Sequence, residues 1–184
     1  MVATKLITAA QLLAMGSEAD QTELVEGELV KMSPASGDHG RIGSDLHGFL
    51  WMHVRAHRLG QLFTVETGFI VGRHPDSVLA PDVAFVSVDR LVANQQLPGF
   101  VPFAPDLAVE IESPSNTRAE LRRKIELYFG GGSRLVWLVR PTRHTVTVFA
   151  PELVEVVLRE ADTLDGGDVL PGFRLPLTDL FSAP

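Results

Sequence analysis

Three charged residues stand where the local pattern calls for apolar ones. The segment DLAVEIE, Asp106 to Glu112, alternates as a strand does. A strand repeats every two residues, so Leu107, Val109 and Ile111 share one face, and Glu110 and Glu112 share the other with Asp106 and Ala108. The next segment, TRAELRRKIELYF, repeats as a helix does. Leu121, Ile125 and Tyr128 form its apolar stripe, and Lys124 falls inside that stripe. Asp82 follows Pro81 at the head of the apolar run DVAFV. If that run pairs with the Asp106–Glu112 strand, Asp82 and Glu110 converge, and Lys124 comes down on them from the helix.

Two carboxylates and a lysine over a sheet make a tool for phosphodiester chemistry. Hard oxygen ligands suit Mg²⁺ or Mn²⁺, which keep several waters. Such an ion acidifies water and offsets charge on a phosphate, and a lysine can orient the attacking water or stabilise the transition state. Plainer readings exist for each residue alone. The Glu110/Glu112 face could lie in solvent, Lys124 could snorkel outward, and Asp82 could make a local turn bond. One site would account for all three.

These residues must be positioned by the elements around them. The hairpin expected over Thr22–Met32 turns at Glu26-Gly27. The longest helix is expected over Gly37–Leu59, with Ile42, Leu46, Phe49, Leu50 and Val54 at helical spacing. Two strands are expected within Gln61–Val71, and a short strand over Asp82–Val86. Gln95–Pro105 holds three prolines and a glycine and reads as a loop. Pro114 stops the central strand. Thr117 and Glu120 then fit a capping box, and Gly130-Gly131-Gly132 ends the helix. Arg134–Val139 reads as a buried strand. Thr145–Phe149 with Leu153–Leu158 reads as a hairpin, and Leu177–Phe181 as a last helical turn. Trp51, Trp137, Val83, Phe85, Leu107, Val109, Leu135 and Val139 are the expected core. The order implies one α/β domain over residues 1–184 on a mixed sheet flanked by helices. Residues 1–20 form an N-terminal helical segment, and residues 150–184 a strand-rich extension.

The motifs Pro81-Asp82 and Glu110-Ile111-Glu112 resemble the signature of the PD-(D/E)XK nuclease superfamily, which has a restriction-endonuclease-like core. The segments LVEGELVKMSPASGDHGRI, APDVAFV, PDLAVEIESPSNTRAELRRKIELYFGGG and RLVWLVRP are similar to the Uma-type restriction endonuclease family within it. The resemblance covers most of Leu24–Phe149. It implies an Mg²⁺- or Mn²⁺-dependent endonuclease acting on DNA, with Asp82, Glu110 and the Ile111 carbonyl as metal ligands. The superfamily places a lysine two residues after the acidic ligand, and here that position is Glu112. The resembled branch carries a lysine on the next helix, which implies that Lys124 takes its place. Glu112 is left between a supporting role and an ordinary salt bridge.

Further residues have two readings each. Glu26 and Glu28 flank the hairpin turn, which the resemblance places near the metal. Each could equally be solvated. His39 opens the long helix and could contact a phosphate or the metal periphery, or be simply a polar helix-start residue. Arg118, Arg122 and Arg123 could track a nucleic-acid backbone or simply coat the helix. His53, Arg55, His57 and Arg58 suit a helix C-terminus. Glu66 precedes Thr67-Gly68 between two strands and is not expected to contact the site.

Composition sets the outer limits. The chain has 184 residues, 45% of them hydrophobic and 21% charged, and a formal net charge of −7. It has enough apolar content for a real core. With no cysteine, disulfide scaffolds and thiolate zinc sites are excluded. The acidic balance counts against indiscriminate nucleic-acid binding. No run reaches about 18 apolar residues, so no membrane span is expected, and the expected location is cytoplasmic. A homodimer is expected by analogy, since cutting two strands calls for two sites. The competing reading is a nuclease-fold binding or assembly module without hydrolytic activity.

Overall fold

Strand β7 (Leu107–Ile111) is buried on both faces along its whole length, which requires cover above and below. In the computed structural model, which describes residues 6–64, 66–94, 97–151 and 154–182, two helices supply it. Helix α2 (Gly37–His57) lies on one face and α4 (Arg118–Gly130) on the other.

The remaining strands are numbered along the chain: β1 (Thr22–Val25), β2 (Glu28–Lys31), β3 (Gly60–Thr64), β4 (Phe69–Gly72), β5 (Ser77–Leu79) and β6 (Val83–Ser87). After β7 come β8 (Leu135–Arg140), β9 (Thr145–Ala150), β10 (Val154–Arg159), β11 (Thr163–Asp165) and β12 (Arg174–Pro176). Short helices α1 (Ala9–Ala14), α3 (Val88–Ala93) and α5 (Leu177–Phe181) complete the described chain.

The main sheet runs β10-β9-β8-β7-β6-β3. Among the described residues of this sheet only β7 and β8 pair in parallel, because α4 carries the chain back between them. β6 pairs antiparallel with β7, Val83 opposite Val109, so Asp82 stands just outside the pairing and level with the C-terminal end of β7. A second sheet, β2-β1-β5-β4, holds the hairpin. The core divides as the alternation of β7 predicts. Leu107, Val109 and Ile111 pack with Ile42, Leu46, Leu50 and Val54 of α2. Ala108 packs with Leu121, Ile125 and Tyr128 of α4. The C-terminal residues Leu164, Phe173, Leu175, Leu180 and Phe181 join the α2 side.

Helix α4 begins at the expected capping box, with Thr117 and Glu120 each bonding the other's backbone N–H. Two expectations change. The segment Gln61–Val71 does hold two strands, but β3 belongs to the main sheet and β4 to the small one. Trp51, expected in the core, is 49% exposed on the outer flank of α2. It lies a quarter-turn past the stripe that Leu50 and Val54 continue. Strand β5 and helix α3 were not expected, whereas β11 and β12 are strands of the expected strand-rich C-terminal extension. Leu153 of the expected hairpin, Gln95 and Gln96 of the expected loop, Val65, and residues 1–5 of the N-terminal segment lie outside the described residues. No helix among the described residues is long and apolar enough to cross a membrane.

Candidate active site

Glu110 comes from the middle of a hydrophobic strand and is almost wholly buried. A carboxylate there needs partners, and α4 provides two from one face. Lys124 Nζ donates to Oε2 at 2.8 Å, and the Tyr128 hydroxyl donates to Oε1 at 2.6 Å. Positions 124 and 128 are one helical turn apart, so both side chains descend on the same spot. Lys124 does not snorkel outward.

Lys124 also reaches Glu23 Oε1 at 3.0 Å. Glu23 points inward from β1 and is itself buried, and it accepts a bond from the Ala80 amide at 2.9 Å. One ammonium therefore holds two buried carboxylates from two different sheets. Burial pushes the Glu110 carboxyl up to about 7, against the pull of Lys124 and with a further push from the charges of Glu23 and Asp82. For Lys124, burial works against the charged form, but the two carboxylates outweigh it and raise the pKa above the usual lysine value. Burial and the neighbouring carboxylates likewise raise Tyr128 and keep its hydroxyl protonated.

Asp82 sits beside this group at the mouth of the sheet. Its Oδ2 accepts from the Ile111 amide at 2.7 Å and stands 3.2 Å from His39 Nε2. His39 lies in the first turn of α2, which Ser36 caps through the His39 backbone N–H. The bond to Asp82 raises the His39 pKa, although burial opposes it. These residues open onto a cleft of about 740 Å³ lined also by His47, Glu66 and Arg123. Gly43 lies along its α2 wall. A Cβ there would come within 3.2 Å of the Ile111 side chain, so the glycine lets the helix pass close to the end of β7.

The expected residues thus divide. Asp82, Glu110, Ile111, Lys124 and His39 are brought together around one cleft. Glu112 is not among them: it turns toward Arg140, with Nε 3.5 Å from its carboxylate. Glu26 pairs with Arg123 instead of approaching Asp82. Glu28 is exposed on β2 and does not line the cleft. Arg122 is engaged with Glu126 and Glu155. Arg118 is exposed and makes no ion pair among the described residues. Two residues were missed. Glu23 had only a mild signal, one of several acids in and before the hairpin, set just ahead of its apolar pair Leu24-Val25. Tyr128 was read as core, and only its spacing of four from Lys124 could have marked it.

The donor set is one that a hard divalent ion accepts: carboxylate oxygens from Asp82 and Glu110, with room for water and phosphate oxygens. Among the described residues no three His, Asp or Glu side chains already stand at ligand spacing. Protein ligands alone would leave part of the coordination shell to the solvent or the substrate, as Mg²⁺ permits. An added positive charge would also hold Glu110 ionised near neutral pH.

Comparison with known proteins places the chain in a family. The Uma2 family, described as "Putative restriction endonuclease", matches residues 9–178. The chain belongs to the Uma2 family. Among solved structures, a crystal structure described as "a putative nuclease belonging to DUF820 from Anabaena variabilis ATCC 29413" superposes with a TM-score of 0.83. The two are 23% identical, and the match covers 95% of this chain and 97% of the other. Likeness at that identity establishes a shared fold. A search of curated proteins finds no match. Within this Uma2 chain, the family match spans every residue of the cleft group, from Glu23 to Tyr128.

Proposed function

We propose that this chain is an endonuclease that hydrolyses DNA phosphodiester bonds with Mg²⁺ or Mn²⁺ as cofactor. The observation that carries the reading is Lys124, held between Glu110 and Glu23 beside Asp82 at the floor of an open cleft. A structural ion pair needs no such opening, and a lysine in the helix stripe needs no second carboxylate. The described chain 6–182 is read as one nuclease-like domain around that cleft.

Asp82, Glu110 and the Ile111 carbonyl would hold the ion, which supplies an activated water and offsets phosphate charge when bound. The chain's own residues do the rest. Lys124 can exchange one carboxylate contact for a phosphate oxygen or for the attacking water, since its three N–H donors are not fixed in one plane. Tyr128 keeps Glu110 in place during that exchange. The Ile111 amide fixes the Asp82 carboxylate. His39, kept protonated more readily by Asp82, is a donor at the cleft wall that can meet a phosphate oxygen.

The acidic net charge leaves a local path for DNA. Residues 46–59 of α2 and its C-terminal turn contain no Asp or Glu, but hold Arg55, Arg58 and three histidines. Arg55 stacks over the exposed Trp51 ring at 5.9 Å. The helical stripe Gly40, Ser44, His47 that lines the cleft continues onto Trp51 and Arg55. This flank supports backbone contact better than Arg122 and Arg123, whose guanidiniums are occupied.

The test is a calorimetric titration of Mn²⁺, alone and with DNA, beside a plasmid-cleavage assay. Wild type should bind and cut, Asp82→Ala and Glu110→Ala should lose both, and Lys124→Ala should lose cutting while retaining most of the binding. One feature favours the non-hydrolytic module instead: Glu110, Lys124 and Glu23 satisfy one another without any ligand. That reading predicts no Mn²⁺ heat with or without DNA, and no cutting by any variant.

A further inference from the structure

Strand β10 ends the main sheet, and among the described residues nothing pairs with its outer edge. Its side chains do not look like a protected edge. Val154, Val156 and Val157 are 58, 54 and 54% exposed. Native sheets block such edges with bulges, prolines, charged side chains or covering loops, because an open edge with apolar side chains templates another strand. The two charges of β10, Glu155 and Arg159, have opposite signs and so do not repel a second copy. β10 pairs with β9 in unbroken register over six residues, with no bulge and no proline.

The strand is also complementary to itself. Glu155 and Arg159 stand two residues either side of Val157 and point to the same face. We propose that β10 pairs antiparallel with β10 of a second copy of this chain, about a twofold axis at Val157. In that register Glu155 lies opposite the partner's Arg159, and Arg159 opposite the partner's Glu155. Val156 meets the partner's Leu158. Moving the axis one residue either way, to Val156 or Leu158, separates the charges and sets Glu155 opposite Val157 or Ala161. The occupant is therefore another copy of the chain, in one register.

This interface leaves both clefts whole. Val157 is in register with Thr147, Thr147 with Leu138, and Leu138 with Glu110. The row through the axis thus runs straight to the candidate site, three strands away. Between the two Glu110 positions lie seven strand spacings of ~4.8 Å, roughly 34 Å along the row. Sheet twist accumulates over that distance, so the two clefts open in different directions. The pairing does not depend on the nuclease reading and survives its failure.

Sedimentation of the full chain over a concentration series tests it. Wild type should show a monomer–dimer equilibrium. Val157→Lys places like charges face to face at the axis and should give monomer throughout. Glu155→Arg should weaken association by roughly tenfold. The double variant Glu155→Arg/Arg159→Glu restores opposite charges across the axis and should recover wild-type association. It leaves the contact of residue 155 with Arg122 at 4.0 Å unrepaired, so recovery reads the cross-strand pairs alone. Circular dichroism confirms that each variant is folded, as these side chains are exposed. A monomeric wild type overturns the proposal. So does a dimer indifferent to Val157→Lys, or a double variant that fails to recover.

Discussion

Replacing Lys124 with methionine removes a charge and keeps most of the stem. In the wild type the ammonium lies 2.8 Å from Glu110 and 3.0 Å from Glu23, with side chains 16, 8 and 5% exposed for Lys124, Glu110 and Glu23. Removing one member of a buried ion pair leaves an uncompensated charge and costs about 3–5 kcal/mol. Lys124 is partly open to the cleft, which argues for the lower end, about 3 kcal/mol. For a chain of this size that is a fall in Tm of roughly 6–12 °C. The loss should depend on pH, and its sign follows from Glu110. Its carboxyl sits near 7 in the folded chain, above the ordinary 4.5. The folded chain therefore holds a proton that the unfolded chain has released, and wild-type stability falls as pH rises through that window, then levels off. Without the lysine charge, the Glu110 pKa rises further. The variant keeps losing about 1.4 kcal/mol per pH unit above 7, where the wild-type curve has flattened. The deficit should be smaller near pH 5, where Glu23 alone has lost its partner, than near pH 8, as read by thermal melts across that range. Mn²⁺ should restore part of the lost Tm at the higher pH, by replacing the missing charge. A deficit equal at both ends, or no deficit, would refute the view that Lys124 holds Glu110 as a buried carboxylate.

Tyr128→Phe strips the hydroxyl from Glu110 Oε1 and leaves a buried acceptor unpaired, which should cost about 1–3 kcal/mol in denaturant unfolding. Glu23→Gln keeps an acceptor for the Ala80 amide but frees Lys124 on one side. Cleavage should slow, and the acid limb of its pH–rate profile should move to lower pH, because the Glu23 charge no longer raises Glu110. Gly131→Ala should destabilise by about 1–3 kcal/mol in thermal unfolding, through overpacking. The backbone angle there is ordinary, but the new Cβ would sit 2.5 Å from the Val71 carbonyl and 2.9 Å from Ala104 Cβ.

The parts of the site that the sequence made legible are those fixed by local period. Alternation in β7 put Glu110 opposite Val109 and Ile111, and the 3.6-residue stripe put Lys124 over it. Both follow from backbone geometry and hold in the fold. The capping box at Thr117 set where the helix starts, and so how far down Lys124 reaches. Glu23 was not legible, because its place depends on a pairing between strands far apart in sequence. β1 meets β5 through a single register pair, Leu24 opposite Val78, and that contact turns Glu23 toward α4. No period within the hairpin encodes it. Trp51 failed for the opposite reason. Its hydrophobicity outweighed its phase, which lies on the flank that continues the cleft lining and not on the line of Leu46 and Leu50.

On the proposed reading, position 112 gives a physical reason for the lysine to stand on the helix in this chain. Strand β7 ends at Ile111, so residue 112 lies past the last residue packed between α2 and α4. Its amide still bonds the Val139 carbonyl, but its side chain has left the floor of the cleft and finds Arg140 on the neighbouring strand. A cation placed there would face Arg140 and not Glu23. A lysine on α4 enters from above, between the two sheets, where it alone can touch both carboxylates. Tyr128, one turn on, takes the remaining Glu110 oxygen. On this geometry Glu112→Lys should not rescue Lys124→Met. It would set a lysine against Arg140, lower the melting temperature further and leave cleavage absent. Recovery of cutting in that double variant would show that the strand end can still deliver a cation to Glu110.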